Sequence, residues 1–162
     1  MPTRRKLDPV ARLLEAFEAE NIRFMLIGMS AANVQGVMEV TLDIDLWVDL
    51  PARQYLRVQN AACKTGAIMG ANTVAYLEDG IPVNFIFEVT GLGSFASELK
   101  HSRRLEYHGK RIAVLNLERI LKSKKAIQRD KDLAHIIHIQ NLLRCRRGLK
   151  RNMKAGHNRK MR

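Results

Sequence analysis

The chain has 162 residues, of which 46% are hydrophobic and 27% are charged. These proportions are typical of one folded domain and exclude a wholly disordered chain. No apolar run approaches the roughly 20 residues of a membrane-spanning helix. The opening segment MPTRRKLDPV also lacks the apolar core of a signal peptide. We therefore expect a cytoplasmic protein with no membrane partner.

The net charge of +12 is concentrated at one end of the chain. Residues 144–162 hold nine Lys or Arg and no acid, whereas residues 1–143 hold 19 basic and 16 acidic side chains. Such a segment favours contact with polyanions, so RNA or DNA is a candidate partner of residues 144–162. The alternative is that residues 144–162 only keep the protein soluble. Because apolar anchors are few, we expect a folded domain over 1–145 and a basic, disordered tail over 146–162.

The first half of the chain predicts alternating helices and strands. Asp8 and Pro9 are the cap and first residue of a helix. In residues 40–50, Leu42, Ile44, Leu46 and Val48 alternate with Asp43, Asp45, Trp47 and Asp49, the period-two pattern of a strand with one buried face. In chain order the predicted elements are a helix over 8–21, a strand over 22–27, a helix over 30–34, a strand over 40–50 and a helix over 51–64.

The second half predicts two strand pairs followed by two helices. The predicted elements are strands over 72–77 and 81–89, strands over 105–107 and 111–115, and helices over 116–126 and 130–144. Mixed helices and strands of these lengths predict a layered α/β (α+β) domain. It has a mixed β-sheet core, flanking helices and a C-terminal helical pair.

Asp43 and Asp45 are the main candidate site residues. On a strand their side chains project from one face, roughly 7 Å apart. Mg²⁺ prefers oxygen ligands and usually takes one or two carboxylates together with substrate phosphates. Gly28 lies between a predicted strand and helix, where backbone N–H groups can approach phosphates. The alternative for the two acids is a solvated polar face of an edge strand.

The residues around this pair resemble a known family. Residues 26–31 (LIGMSA), followed by residues 41–45 (TLDID), are similar to the nucleotidyltransferase superfamily of the DNA polymerase β type. In that family a Gly-Gly or Gly-Ser turn precedes an Asp-x-Asp pair. The resemblance implies a nucleotidyltransferase-like fold that binds a nucleoside triphosphate with Mg²⁺ or Mn²⁺.

The resemblance also implies roles for individual residues. Asp43 and Asp45 are the expected metal ligands, and Gly28, Met29 and Ser30 are the expected phosphate-binding turn. Met29 stands where the family has Gly or Ser. Its side chain leaves less room than glycine does for a phosphate to approach the backbone.

Two later segments are similar to a bacterial group of nucleotidyltransferases, which includes the partners in toxin–antitoxin and abortive-infection systems. Residues 82–87 (PVNFIF) resemble its third-carboxylate strand, and residues 129–133 (RDKDL) resemble its Arg-x-Lys-Asp helix start. The third carboxylate falls on Asn84, so the implied catalytic set is Asp43, Asp45 and Asn84. Asn84 offers a carbonyl oxygen but no charge, and it cannot act as a base.

Three basic residues are candidates to reach the phosphates across the cleft: Lys125, Arg129 and Lys131. The alternative for them is a solvated helix junction. Trp47 could stack on a base or cover the sheet.

Three functions are consistent with the sequence. The first is transfer of a nucleoside monophosphate from a triphosphate to a hydroxyl of an RNA, a protein or a small molecule. The second is a catalytically impaired nucleotide-binding regulator, such as a toxin–antitoxin component with a partner protein. The third is a nucleic-acid-binding module that acts through the basic tail.

Overall fold

The computed structural model describes residues 8–160. Residues 1–7 and 161–162, with the parts of the opening segment and basic tail that fall on them, lie outside this description. The helices are α1 (Pro9–Ala19), α2 (Gly28–Val34), α3 (Tyr55–Cys63), α4 (Phe95–Leu99), α5 (Leu117–Ile127) and α6 (Asp132–Lys160). The strands are β1 (Phe24–Ile27), β2 (Ile44–Val48), β3 (Ile68–Ala71), β4 (Val74–Tyr76), β5 (Pro82–Ile86), β6 (Ser102–Tyr107) and β7 (Lys110–Leu115).

Within residues 8–160 the strands form one seven-stranded mixed sheet, in the order β3-β4-β5-β2-β1-β7-β6. The parallel pairs are β2 with β5 and β1 with β7, and the other neighbours are antiparallel. Helices α5 and α6 pack against each other. The predicted fold class, a mixed sheet with flanking helices and a C-terminal helical pair, is confirmed.

Helix α1 begins as its sequence predicts. The Asp8 carboxylate accepts a hydrogen bond from the Ala11 N–H at 2.9 Å, and Pro9 occupies the first helical position. Phe17, on the buried face of α1, lies against the rings of Phe24 and Phe85 on β1 and β5. The apolar stripe of α1 therefore covers one face of the sheet.

The other face of the sheet carries the polar residues. Cα pairing places Ile27 opposite Asp45, and Asp45 beside Asn84, at one end of the three central strands. Trp47 lies on the same face but is 2% exposed, and its ring packs against Phe95. Trp47 therefore covers the sheet.

Several element boundaries differ from the predictions. Strand β2 spans Ile44–Val48, because its pairing with β5 begins at Ile44 and its pairing with β1 reaches only Asp45, so residues 40–43 have no paired strand residue. Strand β3 and helix α4, of four and five residues, were not predicted.

Helix α6 was expected to end near Arg144, with disorder from residue 146. It instead continues to Lys160, because residues 144–160 are mostly good helix formers and contain no proline. Its buried face ends at Leu143, and residues 144–157 are exposed. The helix thus extends beyond the domain. None of the helices within residues 8–160 is long and apolar enough to cross a bilayer.

Candidate active site

Gly28 permits the close approach of α2 to the end of β2. Its φ is +67°, a left-handed backbone conformation that residues with a side chain rarely adopt. A Cβ at this position would lie 2.3 Å from Oδ2 of Asp45. Both the backbone conformation and the space beside Asp45 therefore require glycine.

The Asn84 amide joins the two acids. Its Nδ2 donates hydrogen bonds to Oδ2 of Asp43 at 2.9 Å and to Oδ1 of Asp45 at 2.8 Å. The parallel pairing of β2 with β5 places Asn84 directly beside Asp45. Two carboxylates thus converge on one point, although Asp43 lies just outside the strand that was expected to carry it.

The segment that carries Asp43 is held from both sides. The Ser30 hydroxyl donates to the backbone carbonyl of Asp43 at 3.0 Å. The Thr41 hydroxyl lies 3.1 Å from the same carbonyl and 3.3 Å from Oδ1 of Asp43. Ser30 is buried and supports this segment from behind, whereas Thr41 lines the cleft.

Burial raises the pKa of Asp45 above its ordinary value, and the neighbouring negative charge of Asp43 raises it further. The hydrogen bond from Asn84 and the positive charges of Lys124 and Arg129 act in the opposite direction. An added positive charge would therefore stabilise the ionised form of Asp45.

Lys124, Arg129, Asp132 and His135 form the opposite wall. Lys124 Nζ lies 2.7 Å from Oδ1 of Asp132, and Arg129 Nε lies 2.7 Å from Oδ2. Burial alone would raise the pKa of Asp132, but these hydrogen bonds and charges lower it to about 2. Burial and the charge of Lys124 lower the pKa of His135. The ring is thereby favoured in its neutral form.

The two walls enclose a cleft of about 410 Å³. Of the predicted site residues, the structure brings together Gly28, Met29, Asp43, Asp45, Asn84, Arg129 and Lys131. Ser30 lies behind the cleft, and Lys125 is exposed and is not among the lining residues.

Three further residues line the cleft and were not predicted to do so: Lys124, Thr41 and His135. A signal for Lys124 was present, because it follows Leu117 and Ile120 at helical spacing. A lysine in an apolar stripe indicates either an ion pair or a functional cation. Lys124 is 8% exposed, whereas its neighbour Lys125 is exposed at the surface.

The donor set is suited to Mg²⁺ or Mn²⁺ and not to a thiolate or imidazole site. Among residues 8–160 there is no cluster of three His, Cys, Asp or Glu side chains arranged to hold a metal. Mg²⁺ usually takes one or two carboxylates and keeps waters and substrate oxygens as its other ligands, so Asp43 and Asp45 are the residues that could hold it. The convergence of both carboxylates on the Asn84 nitrogen shows that they can share a positively polarised partner.

These features define a nucleotidyltransferase-like fold with an acidic pair at the end of its central strands. No protein-family model matches the chain, and no curated protein has a significantly similar sequence. Solved structures do share the fold.

One such structure is the crystal structure of ANT(2″)-Ia in complex with adenylyl-2″-tobramycin. It is 14% identical, the match covers 83% of this chain and 87% of that chain, and the TM-score is 0.55. The solution structure of the antibiotic-resistance factor ANT(2″)-Ia matches over 94% and 97% of the two chains, with 14% identity and a TM-score of 0.54. A candidate nucleotidyltransferase from Thermotoga maritima is 18% identical over 88% and 91%, with a TM-score of 0.50. The resemblance in fold that the sequence predicted is confirmed.

Proposed function

We propose that the chain binds a nucleoside triphosphate with Mg²⁺ or Mn²⁺ in this cleft and transfers the nucleoside monophosphate to a hydroxyl. The observation that carries the proposal is the convergence of the Asp43 and Asp45 carboxylates at a cleft whose opposite wall is cationic. Acids on one side and bases on the other suit a ligand made of phosphates and a divalent cation.

Asp43 and Asp45 would hold the metal ion in this proposal. Bound there, a divalent ion neutralises phosphate charge and orients the reacting phosphoryl group. Its positive charge would oppose the two causes that raise the pKa of Asp45, burial first and the charge of Asp43 second. The two carboxylates therefore act as ionised ligands and not as proton donors.

Lys124 and Arg129 would contact phosphate oxygens from the opposite wall. Both charges act on the Asp45 carboxylate, so both lie close enough to influence a ligand bound there. Asp132 fixes the two cations, and its own charge is maintained by them. Preorganised charges of this kind stabilise the negative charge that develops during transfer.

The acceptor hydroxyl would attack the α-phosphorus, form a new P–O bond and displace pyrophosphate. Its proton must leave for a carboxylate or for solvent, because Asn84 cannot accept it. Acceptor candidates are an RNA, a protein and a small molecule. ANT(2″)-Ia has been solved with an adenylylated small molecule, which supports keeping the last class.

A second candidate function is favoured by Asn84 itself. An amide at the third acidic position lowers the negative charge of the site and removes a base. A catalytically impaired nucleotide-binding regulator, such as a toxin–antitoxin component with a partner protein, would keep the Asp43–Asp45 pair and lose transfer. Either function would operate in the cytoplasm, where nucleoside triphosphates are available.

Transfer of α-³²P label from each of the four nucleoside triphosphates separates the two functions. The assay uses wild type, Asp43→Ala and Asn84→Asp, with RNA, protein and small-molecule hydroxyl acceptors. Transfer by wild type that Asp43→Ala abolishes supports the enzyme. If wild type binds nucleotide without transferring it, and Asn84→Asp gains transfer, the result supports the impaired relative. Absence of both binding and transfer in all three proteins contradicts both functions.

A further inference from the structure

Residues 144–157 of α6 project beyond the domain and are called the extension below. The extension carries positive charges and no acidic residue. Six of its side chains are basic and exposed: Arg144, Arg146, Arg147, Lys150, Arg151 and Lys154. No acidic residue follows Asp132 in the sequence. Within residues 8–160, the ion pairs of the structure involve none of these six side chains.

The basic face continues the face by which α6 packs on the domain. Ile139 and Leu143 are buried in the core at 0% and 6% exposure. The same spacing of three and four residues next reaches Arg147, Lys150 and Lys154. The helix face that binds the domain therefore becomes cationic where the domain ends.

This arrangement is unfavourable for an isolated helix. Arg147 lies one turn from Lys150 and Arg151, and Lys150 lies one turn from Lys154. Like charges at these spacings repel each other and destabilise a helix. A polyanion along this face would replace the repulsion with attraction.

Arg146 fixes the base of the extension to the domain. Its guanidinium donates a hydrogen bond to the backbone carbonyl of Gln35, and Glu39 pairs with His138 about two turns earlier along α6. The extension therefore has a fixed point of attachment. From His135 at the cleft to Lys150, fifteen residues of helix span about 22 Å.

We propose that residues 144–157 of α6 are a docking surface for RNA, bound through its phosphate backbone. RNA is chosen over DNA because the proposed acceptor is a hydroxyl, and an RNA 3′ end offers two of them, the 2′- and the 3′-hydroxyl, whereas a DNA end offers only the 3′-hydroxyl. That choice rests on the proposed function. RNA held on the extension can place an end in the cleft, at the distance that α6 sets.

The charge pattern favours RNA over a lipid surface. The opposite side of the extension carries two large apolar residues, Leu149 and Met153, at 64% and 75% exposure. It has no Trp or Phe, and interfacial helices depend on a broad apolar face with such residues. Two apolar side chains give little insertion, whereas the cations beyond Arg146 remain available to pair with phosphates.

The test compares two triple variants of the full chain. Lys150→Gln/Arg151→Gln/Lys154→Gln removes three charges from the extension. Arg53→Gln/Lys100→Gln/Arg103→Gln removes three exposed charges from other elements and is the matched control. Binding of a labelled RNA hairpin with a single-stranded 3′ end is measured by anisotropy across a salt series, and circular dichroism checks that each variant folds.

We expect the extension variant to bind RNA about 100-fold more weakly at 0.1 M salt, with a salt slope smaller by about 2, from roughly 0.7 per lost phosphate contact. The control variant should bind within a few-fold of wild type. Amides of residues 144–157 should gain protection from hydrogen exchange when RNA is added. Equal loss in both variants, or no loss in the extension variant, overturns the proposal.

Further measurements distinguish RNA from other ligands. They also distinguish a failure of the docking surface from a failure of the proposed function. DNA of the same sequence that displaces RNA more effectively than the reverse overturns the assignment to RNA. Binding to vesicles of anionic lipid without binding to RNA also overturns it. Asp43→Ala should bind RNA like wild type. Intact RNA binding without nucleotide transfer contradicts the proposed function alone, and transfer without dependence on the extension contradicts the docking surface alone.

Discussion

The Asn84 amide nitrogen lies 2.8 Å from Oδ1 of Asp45, its in-register neighbour on the adjoining parallel strand. The same nitrogen lies 2.9 Å from Oδ2 of Asp43. An uncharged donor therefore occupies the point on which both acids converge. A metal ion and the Asn84 N–H groups would compete for the same carboxylate oxygens, and the amide carbonyl could ligate only after the amide turns over.

Replacing Asn84 with Asp should exchange a donor for a third acid. Without metal, three carboxylates repel one another, so we expect Asn84→Asp to have a lower Tm than wild type in EDTA. With Mg²⁺ or Mn²⁺ the order should reverse, and metal affinity should rise about tenfold or more. Thermal unfolding with and without metal measures both effects. Asn84→Ala is the control, since it removes the donor without adding charge, and an equal metal response in both variants would argue against the site.

Gly28→Ala should disrupt the site through both conformation and space. The new Cβ meets the Asp45 carboxylate at 2.3 Å, and φ is +67°. Gly80→Ala is the matched control, because φ is +85° there and no atom lies within 4 Å of the added Cβ. We expect about 1 kcal/mol of destabilisation in the control from the left-handed backbone. Gly28→Ala should be destabilised by more than the control. It should also lose metal-dependent nucleotide binding. Similar denaturation midpoints and intact binding in both variants would contradict the geometry.

Lys124→Met should be far more damaging than Lys125→Met. Lys124 is buried against Asp132, and its removal leaves a buried carboxylate short of a partner. Breaking such a pair costs about 3–5 kcal/mol, here reduced by the remaining contact with Arg129. Lys125 is exposed and outside the cleft, so its substitution should be nearly neutral. Urea denaturation compares the two, and equal stabilities would show that the buried pair contributes nothing.

Asp132 should make the fold sensitive to acid. Its pKa is about 2 in the folded chain, below the ordinary value of 3.8. The stabilisation is therefore complete above about pH 4 and is lost as pH falls toward 2, a difference of about 2 kcal/mol. Asp132→Asn should remove this part of the pH dependence, as seen in denaturation at pH 2–5. Parallel curves for wild type and variant would contradict the assignment.

Asp45 has the opposite dependence. Its raised pKa means that the folded chain holds the proton more tightly than the unfolded chain does. Its contribution to stability is therefore present at low pH and is lost as pH rises through the raised value. Metal competes with that proton, so metal affinity should weaken at a higher pH than for an ordinary aspartate.

The acidic pair could be predicted from the sequence because alternation and the glycine turn are local. The first residue of β2 could not, since pairing with β5 begins only at Ile44 and pairing with β1 reaches only Asp45. The contact of Asn84 with both acids depends on a parallel pairing across some forty residues of chain, which no local pattern encodes. Lys125 was predicted to reach the cleft and Lys124 was not, although the burial of Lys124 follows from its place in the apolar stripe of α5. The length of α6 was missed because the loss of apolar anchors at Leu143 ends its packing but not its helical propensity.

The central claim is a metal-dependent nucleotide site at Asp43 and Asp45, and calorimetric titration tests it most directly. ATP, GTP, CTP and UTP, each with Mg²⁺ or Mn²⁺, are titrated into wild type, Asp43→Ala and Asp49→Ala. Asp49 is the control, because it pairs with Arg23 at the other end of β2, outside the cleft. We predict metal-dependent binding of at least one nucleotide by wild type and Asp49→Ala, and its loss in Asp43→Ala. Binding that survives Asp43→Ala, or no binding to wild type, would contradict the account.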